Sequence, residues 1–176
     1  RYLRRAVLNG LDLEARVNLA LAANYAGIGF GNAGVHIPHA LAYPIAGLVR
    51  DYVPPGYRTR HAMVPHGMAV ILTAPSAFRF TYTTAPERHL RAAELMGAPV
   101  SGLSEAERRE ALPRALISLM RDTGIPNGLN AVGYTERDIP ALVEGTLKQP
   151  RLLAGGPRSV GSADLEWILR DSMRLW

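Results

Sequence analysis

The sequence predicts an all-α fold, on three observations. Helix-start signals recur along the chain, followed by residues of good helix propensity and often closed by a glycine. Strand candidates are scarce. And 176 residues, 48% apolar and 20% charged, are long enough for one domain with its own core and short for two.

Asp12 caps a first helix through Glu14, Ala15 and Arg16 into LALAANYAG. Pro86 suits the first turn of PERHLRAAELMG, with Gly97 placed to end it. Ser104 and Glu107 form a capping box for a helix to about Asp122, with Gly124 as the stop and Pro113 expected to kink or split it. Thr135 and Asp138 open a helix toward Leu147. Ser162 is expected to cap the last one, where Leu165, Ile168, Leu169, Ser172 and Trp176 recur at helical spacing. MAVILT (Met68 to Thr73) is either a strand or a buried helix segment, which periodicity does not decide. Asp51 to Pro65, punctuated by Pro54-Pro55-Gly56, reads as a loop.

Composition narrows the function classes. With no cysteine, disulfides, thiolate catalysis and cysteine-held metals are excluded. That is compatible with a reducing cytosol, and a cytoplasmic location is expected. No apolar run is long enough to span a membrane, and the charged opening RYLRRAVLNGLDLEAR is unlike a signal peptide. A start at Arg1 rather than Met reads as a piece of a longer protein. The 20 Lys+Arg outnumber 15 Asp+Glu, but they alternate with acids as on a solvated helix face, and with three Phe and two Trp there is little for bases to stack on. No nucleic-acid partner is expected.

Gly29, Gly31 and Gly34 fit the spacing G-x-G-x-x-G, and Asp51 lies 20 residues after Gly31. A dinucleotide fingerprint also needs a strand before its first glycine. Asn18 to Ala26 is instead made of helix formers, and a helix opening on the motif would meet Pro38 and Pro44. The better reading is a helix with one bare side, which another backbone or a ligand approaches closely.

Among the five histidines, His89 beside Arg88 and Arg91 reads as a surface or satisfied core residue. His36 and His39 are close enough in sequence to share a helix face. There is no H-E-x-x-H motif. His66 stands between Pro65 and Gly67, its backbone fixed on one side and bulk removed on the other. His39 and His66 are candidate ligands for iron or zinc, though a catalytic metal usually takes at least three protein ligands.

The run AGIGFGNAGVHIPHALAYPIAG, the later VPHGMAVILT, PERHLRAAELMG and AVGYTERDIPALVEGTL resemble the iron-containing alcohol dehydrogenase family, in particular its hydroxyacid–oxoacid transhydrogenase branch. The resemblance covers most of the chain. It implies the family's C-terminal helical domain, over residues 1–176 as a single helical domain, without the α/β nucleotide-binding domain that would precede it. It implies His39 and His66 as two of four metal ligands, the aspartate and other histidine lying upstream of Arg1. Many members carry a histidine four residues after the first of these. Tyr43 stands there, followed by Pro44 as in the transhydrogenase branch, and is the candidate catalytic residue, its alternative being a packed aromatic. His36 and His61 fall where the branch also tends to carry histidine.

By the same resemblance the cofactors are Fe²⁺, with Zn²⁺ as the alternative, and NAD or NADP. The substrate is a small alcohol or hydroxy acid such as 4-hydroxybutyrate, with 2-oxoglutarate as acceptor. A homo-oligomer is expected. The alternative is a catalytically inactive helical piece serving as a structural or oligomerisation unit.

Overall fold

The structure, a computed structural model describing residues 1–176, contains nine α-helices, three short 3-10 turns and no strand. A hairpin of α1 (Tyr2–Leu8) and α2 (Leu13–Ala33) is followed by α3 (Ile37–Gly47) and α4 (His66–Thr81). Then come α5 (Pro86–Leu95), α6 (Glu105–Asp122), α7 (Ile139–Leu147), α8 (Pro150–Ala154) and α9 (Ser162–Asp171). The expected loop from Asp51 to Pro65 holds no helix.

MAVILT is a helix. The run continues as APSAFRF into α4, and length decides what β-branching cannot. One face, with Ala69, Leu72, Thr73 and Ser76, is buried. That face meets the α3 stripe of Ile37, Leu41 and Ile45 in the main core, which Leu142 of α7 and Leu165, Ile168 and Leu169 of α9 complete. A smaller cluster of Leu90, Ala93, Ala111 and Leu112 joins α5 to α6.

The caps are mostly as expected. Asp12 accepts from the Ala15 amide at 3.0 Å, and Ser104 and Glu107 form a reciprocal capping box. Thr135 and Asp138 do the same, but the residues between them make a 3-10 turn before α7 begins. Some expectations fail. Of the kink or split expected at Pro113, the split is not found: α6 is an unbroken helix of 18 residues in which that proline is buried. Ser162 is the first residue of α9 rather than its cap; the Asp164 carboxylate accepts from the Gly161 amide at 2.9 Å instead. That helix also ends at Asp171, short of Trp176.

Polar groups fasten the helices together. The Tyr134 hydroxyl donates to the Ile45 carbonyl at 2.6 Å, satisfying one of the acceptors left open at the end of α3. Burial pushes that phenol up to about 12. Arg79 of α4 reaches Glu110 of α6 at 2.9 Å and Asp171 of α9 at 2.8 Å. Asn127 accepts from the Leu175 and Trp176 amides at 2.8 and 3.0 Å, fixing the C-terminal tail. Beside it Gly128, with φ 73°, lies so close to the tail that an added Cβ would stand 2.6 Å from the Ser172 and Met173 carbonyls.

The hairpin is different. Of the 21 residues of α2 only Ala15 is buried, and Leu13, Val17, Leu21, Tyr25, Ile28 and Phe30 are exposed.

Two outcomes follow from these fastenings. Tyr134→Phe leaves the Ile45 carbonyl buried without its donor and should cost about 1–3 kcal/mol in urea unfolding. Asp138 is held well below the usual carboxylate range, first by Arg50 at 2.7 Å and then by Thr135. A depressed folded-state value means its contribution is complete above the ordinary carboxylate range and is lost as pH falls toward the folded value. Asp138→Asn should therefore flatten the decline of thermal midpoint below about pH 4, measured as a midpoint-versus-pH series for both proteins.

Candidate metal centre

The site forms where the beginnings of two helices meet. Gly34, with φ 78°, ends α2 by donating its amide to the Phe30 carbonyl at 2.7 Å. Two residues later His36 stands at the cap of α3, its carbonyl accepting from the His39 amide at 2.8 Å. Pro38 sits in the first turn, where its missing N–H costs nothing. Pro65 begins α4 in the same way, its carbonyl accepting from the Ala69 amide at 2.9 Å, so that His66 is the first helical residue.

Packing of α3 on α4 brings His39 and His66 together, ring centroids 5.5 Å apart and planes inclined by 59°. Tyr43, one turn beyond His39, lies with its ring 6.4 Å from that of His66. It is 55% exposed in this chain. His39 is half-buried, and His66 is exposed. Burial, and next the neighbouring His66, lower the His39 pKa below the ordinary imidazole value. Its neutral form, with a lone pair to offer a cation, is favoured.

The pair has the ring separation that a shared divalent metal would require. At a metal–nitrogen distance of about 2.1 Å, two imidazoles on one tetrahedral ion have centroids roughly 5 Å apart, and the observed separation agrees. It is also incomplete, since no group of three or more His, Asp or Glu side chains is placed to hold an ion.

The other histidines divide clearly. His36 does not share a helix face with His39, because it lies outside α3. Its ring packs edge-on against Phe78 at 6.0 Å, its Nδ1 has no partner, and burial, then His39 and His89, lower its pKa. His89 is a satisfied core residue, Nδ1 at 2.8 Å from the Ala85 carbonyl and Nε2 at 3.0 Å from the Thr81 hydroxyl. His61 is exposed in the loop, its amide bonded to the Thr59 hydroxyl.

His39 and His66 open onto a cleft of about 660 Å³. Phe30, Gly31 and Gly34 of the glycine-rich run line it, as does Arg151 of α8. The run is therefore helix and its C-terminal cap, with no strand before it, and the dinucleotide reading fails. The close approach of another backbone is not found within this chain either: an added Cβ at Gly27, Gly29 or Gly31 would meet nothing within 4 Å. The bare face borders the cleft instead. Arg151 was not legible as a site residue, although Pro150 before it and Gly155-Gly156 after it do mark a short helix with close neighbours. A separate hollow of about 450 Å³, between Arg4 and Arg114, contains no histidine.

The model of the family described as "Fe-containing alcohol dehydrogenase family, C-terminal" matches residues 1–173. The chain belongs to that family. Similar curated proteins include the mitochondrial hydroxyacid-oxoacid transhydrogenases of Rattus norvegicus and Homo sapiens, each 46% identical over the whole chain and each covered over 38% of its own length. The chain thus spans well under half the length of these relatives. Among solved structures, a 1,3-propanediol oxidoreductase superposes on 98% of the chain with a TM-score of 0.84 and 32% identity, 41% of its own length being covered. The NADH-dependent butanol dehydrogenase A of Thermotoga maritima, at 21% identity and a TM-score of 0.75, shares the fold, with 42% of its length covered. The all-α architecture expected from the sequence is that of the family's C-terminal part.

Proposed function

We propose that these 176 residues are the metal-binding helical part of a metal- and NAD(P)-dependent hydroxy acid dehydrogenase or hydroxyacid–oxoacid transhydrogenase. The observation that carries this reading is the convergence of His39 and His66, 5.5 Å apart, on an open cleft. The names of the curated relatives support the hydroxy acid as substrate.

In this reading His39 and His66 hold Fe²⁺, with Zn²⁺ as the alternative. Two further ligands and the NAD or NADP site come from the rest of the protein. When bound, the metal supplies Lewis-acid polarisation of the substrate oxygen, and hydride transfer belongs to the nicotinamide. The chain's own task is placement. The α3–α4 contact presets both imidazoles, so little ordering remains to be done when the site is completed. The Tyr43 hydroxyl, exposed beside His66, donates a hydrogen bond to bound substrate and fixes its orientation. The α2 end and α8 form walls that limit the access of water to the reacting carbon.

A second reading has its own support. The absence of a third donor and the exposed apolar side chains of α2 favour an inactive structural or oligomerising unit for the chain by itself. A homo-oligomer would cover such a surface. As for location, the cysteine-free sequence suits a reducing compartment such as the cytoplasm, while the curated relatives are mitochondrial by name.

In the full-length protein, His39→Ala or His66→Ala should lower bound metal, measured by elemental analysis, and cut NADH formation by at least about 100-fold. Full metal occupancy with undiminished turnover would refute the ligand assignment. The 176 residues alone should reduce no NAD⁺ with 4-hydroxybutyrate at any added Fe²⁺ concentration. Robust absorbance growth at 340 nm from them would show that the missing ligands are not needed.

A further inference from the structure

We infer that Arg151 is the residue that binds the carboxylate of the substrate, so that this cleft selects acids over neutral alcohols. The inference rests on the dehydrogenase reading above and names the group that gives it its substrate class.

The argument begins with charge. Among the residues lining the cleft that holds His39 and His66, Arg151 is the one arginine or lysine, and no aspartate or glutamate accompanies it. An arginine keeps its charge at any physiological pH and presents a planar fork of donors matched to a carboxylate. Charged neighbours in the same stretch of chain are already engaged. Lys148 reaches Glu144 at 2.7 Å, and Arg158 donates to the Phe80 carbonyl at 2.9 Å while stacking on that ring. Arg151 has neither an acidic partner nor a carbonyl to bond.

Its position is built rather than incidental. Leu152, next to it on α8, is 9% exposed and anchors the helix. Gly155 follows with its Cα region so near the Val35 carbonyl that an added Cβ would stand 3.1 Å away. An added Cβ on Gly156 would stand 3.3 Å from the Leu153 carbonyl and 3.4 Å from that of Arg158, with the His36 side chain in ordinary contact at 3.9 Å. The segment from Leu152 to Gly156 is therefore clamped onto the residues that lead into α3, and Arg151 is delivered to the wall of the histidine cleft. The remaining lining is glycine, valine, leucine and phenylalanine, which suits the short methylene chain between an alcohol carbon and a distant carboxylate. A cleft of about 660 Å³ has room for such an acid.

The test uses the full-length, metal-loaded protein and its Arg151→Ala and Arg151→Lys variants. First, kcat/KM is measured for 4-hydroxybutyrate and for 1-butanol, its counterpart without the carboxylate. The ratio of the two should fall at least about 30-fold in Arg151→Ala, with partial recovery in Arg151→Lys. An unchanged ratio overturns the inference, whatever happens to the overall rate. Weaker NAD⁺ binding with an unchanged ratio would assign Arg151 to the cofactor's phosphates and likewise overturn it. Second, calorimetric titration with succinate, which cannot be oxidised as an alcohol, reads the anion site without turnover. Succinate should bind the wild type and bind Arg151→Ala at least about 30-fold more weakly. If both alcohols prove inert while succinate behaves so, the dehydrogenase reading fails and the anion site stands. If succinate ignores the substitution, the anion site fails by itself.

Discussion

The contact between α3 and α4 is the constraint on which the candidate site depends. Ile37, Leu41 and Ile45 recur at intervals of one turn and are wholly buried, which sets the rotation of α3 about its own axis. His39 follows Ile37 by two residues, roughly 200° around the helix, and Tyr43 follows His39 by one turn. The periodicity that fills the core therefore also points these two away from it. On α4 the same logic starts one residue after Pro65, so His66 stands at the end of the helix rather than on its buried face. Two imidazoles meet because two hydrophobic stripes do.

What the sequence made legible was local chemistry. Side chains that cap a helix announce its start within three or four residues, and Asp12, Ser104 and Thr135 all did so. The helices that were missed lack such announcements. In α3 the prolines looked like breakers, yet Pro38 lies in the first turn and Pro44 is buried within the helix. The Pro44 ring packs toward α7, which offers a glycine opposite it: a Cβ on Gly145 would stand 2.6 Å from the proline ring. That is a pairing between residues 101 positions apart, and no window of sequence contains it. Ser162 failed for the reverse reason, since Asp164 bonds to the Gly161 amide and makes a serine cap unnecessary.

The histidine pair was named from motif resemblance, not from spacing. A loop separates α3 from α4, and loops of that length carry no information about where their ends will lie. The cleft was harder still. Its walls come from α2, α3, α4 and α8, and the α2 contribution is largely absence of side chain. Bare glycine reads in a sequence as a motif or as a packing contact; that it borders open space becomes visible only when the neighbouring helices are in place.

The sparse burial of α2 bears on how the cleft behaves in time. Most of a helix's persistence comes from tertiary packing rather than propensity, and α2 contributes just Ala15 to the buried set while carrying three glycines within its last seven residues. Its amides should exchange with solvent through small local openings at a free-energy cost far below that of α3 and α4. The glycine-rich end of α2 is also a wall of the histidine cleft. In this chain by itself, then, the two imidazoles are carried by helices rich in buried residues while the surface facing them belongs to a helix with one, and the shape of the cleft depends on how firmly that helix is held.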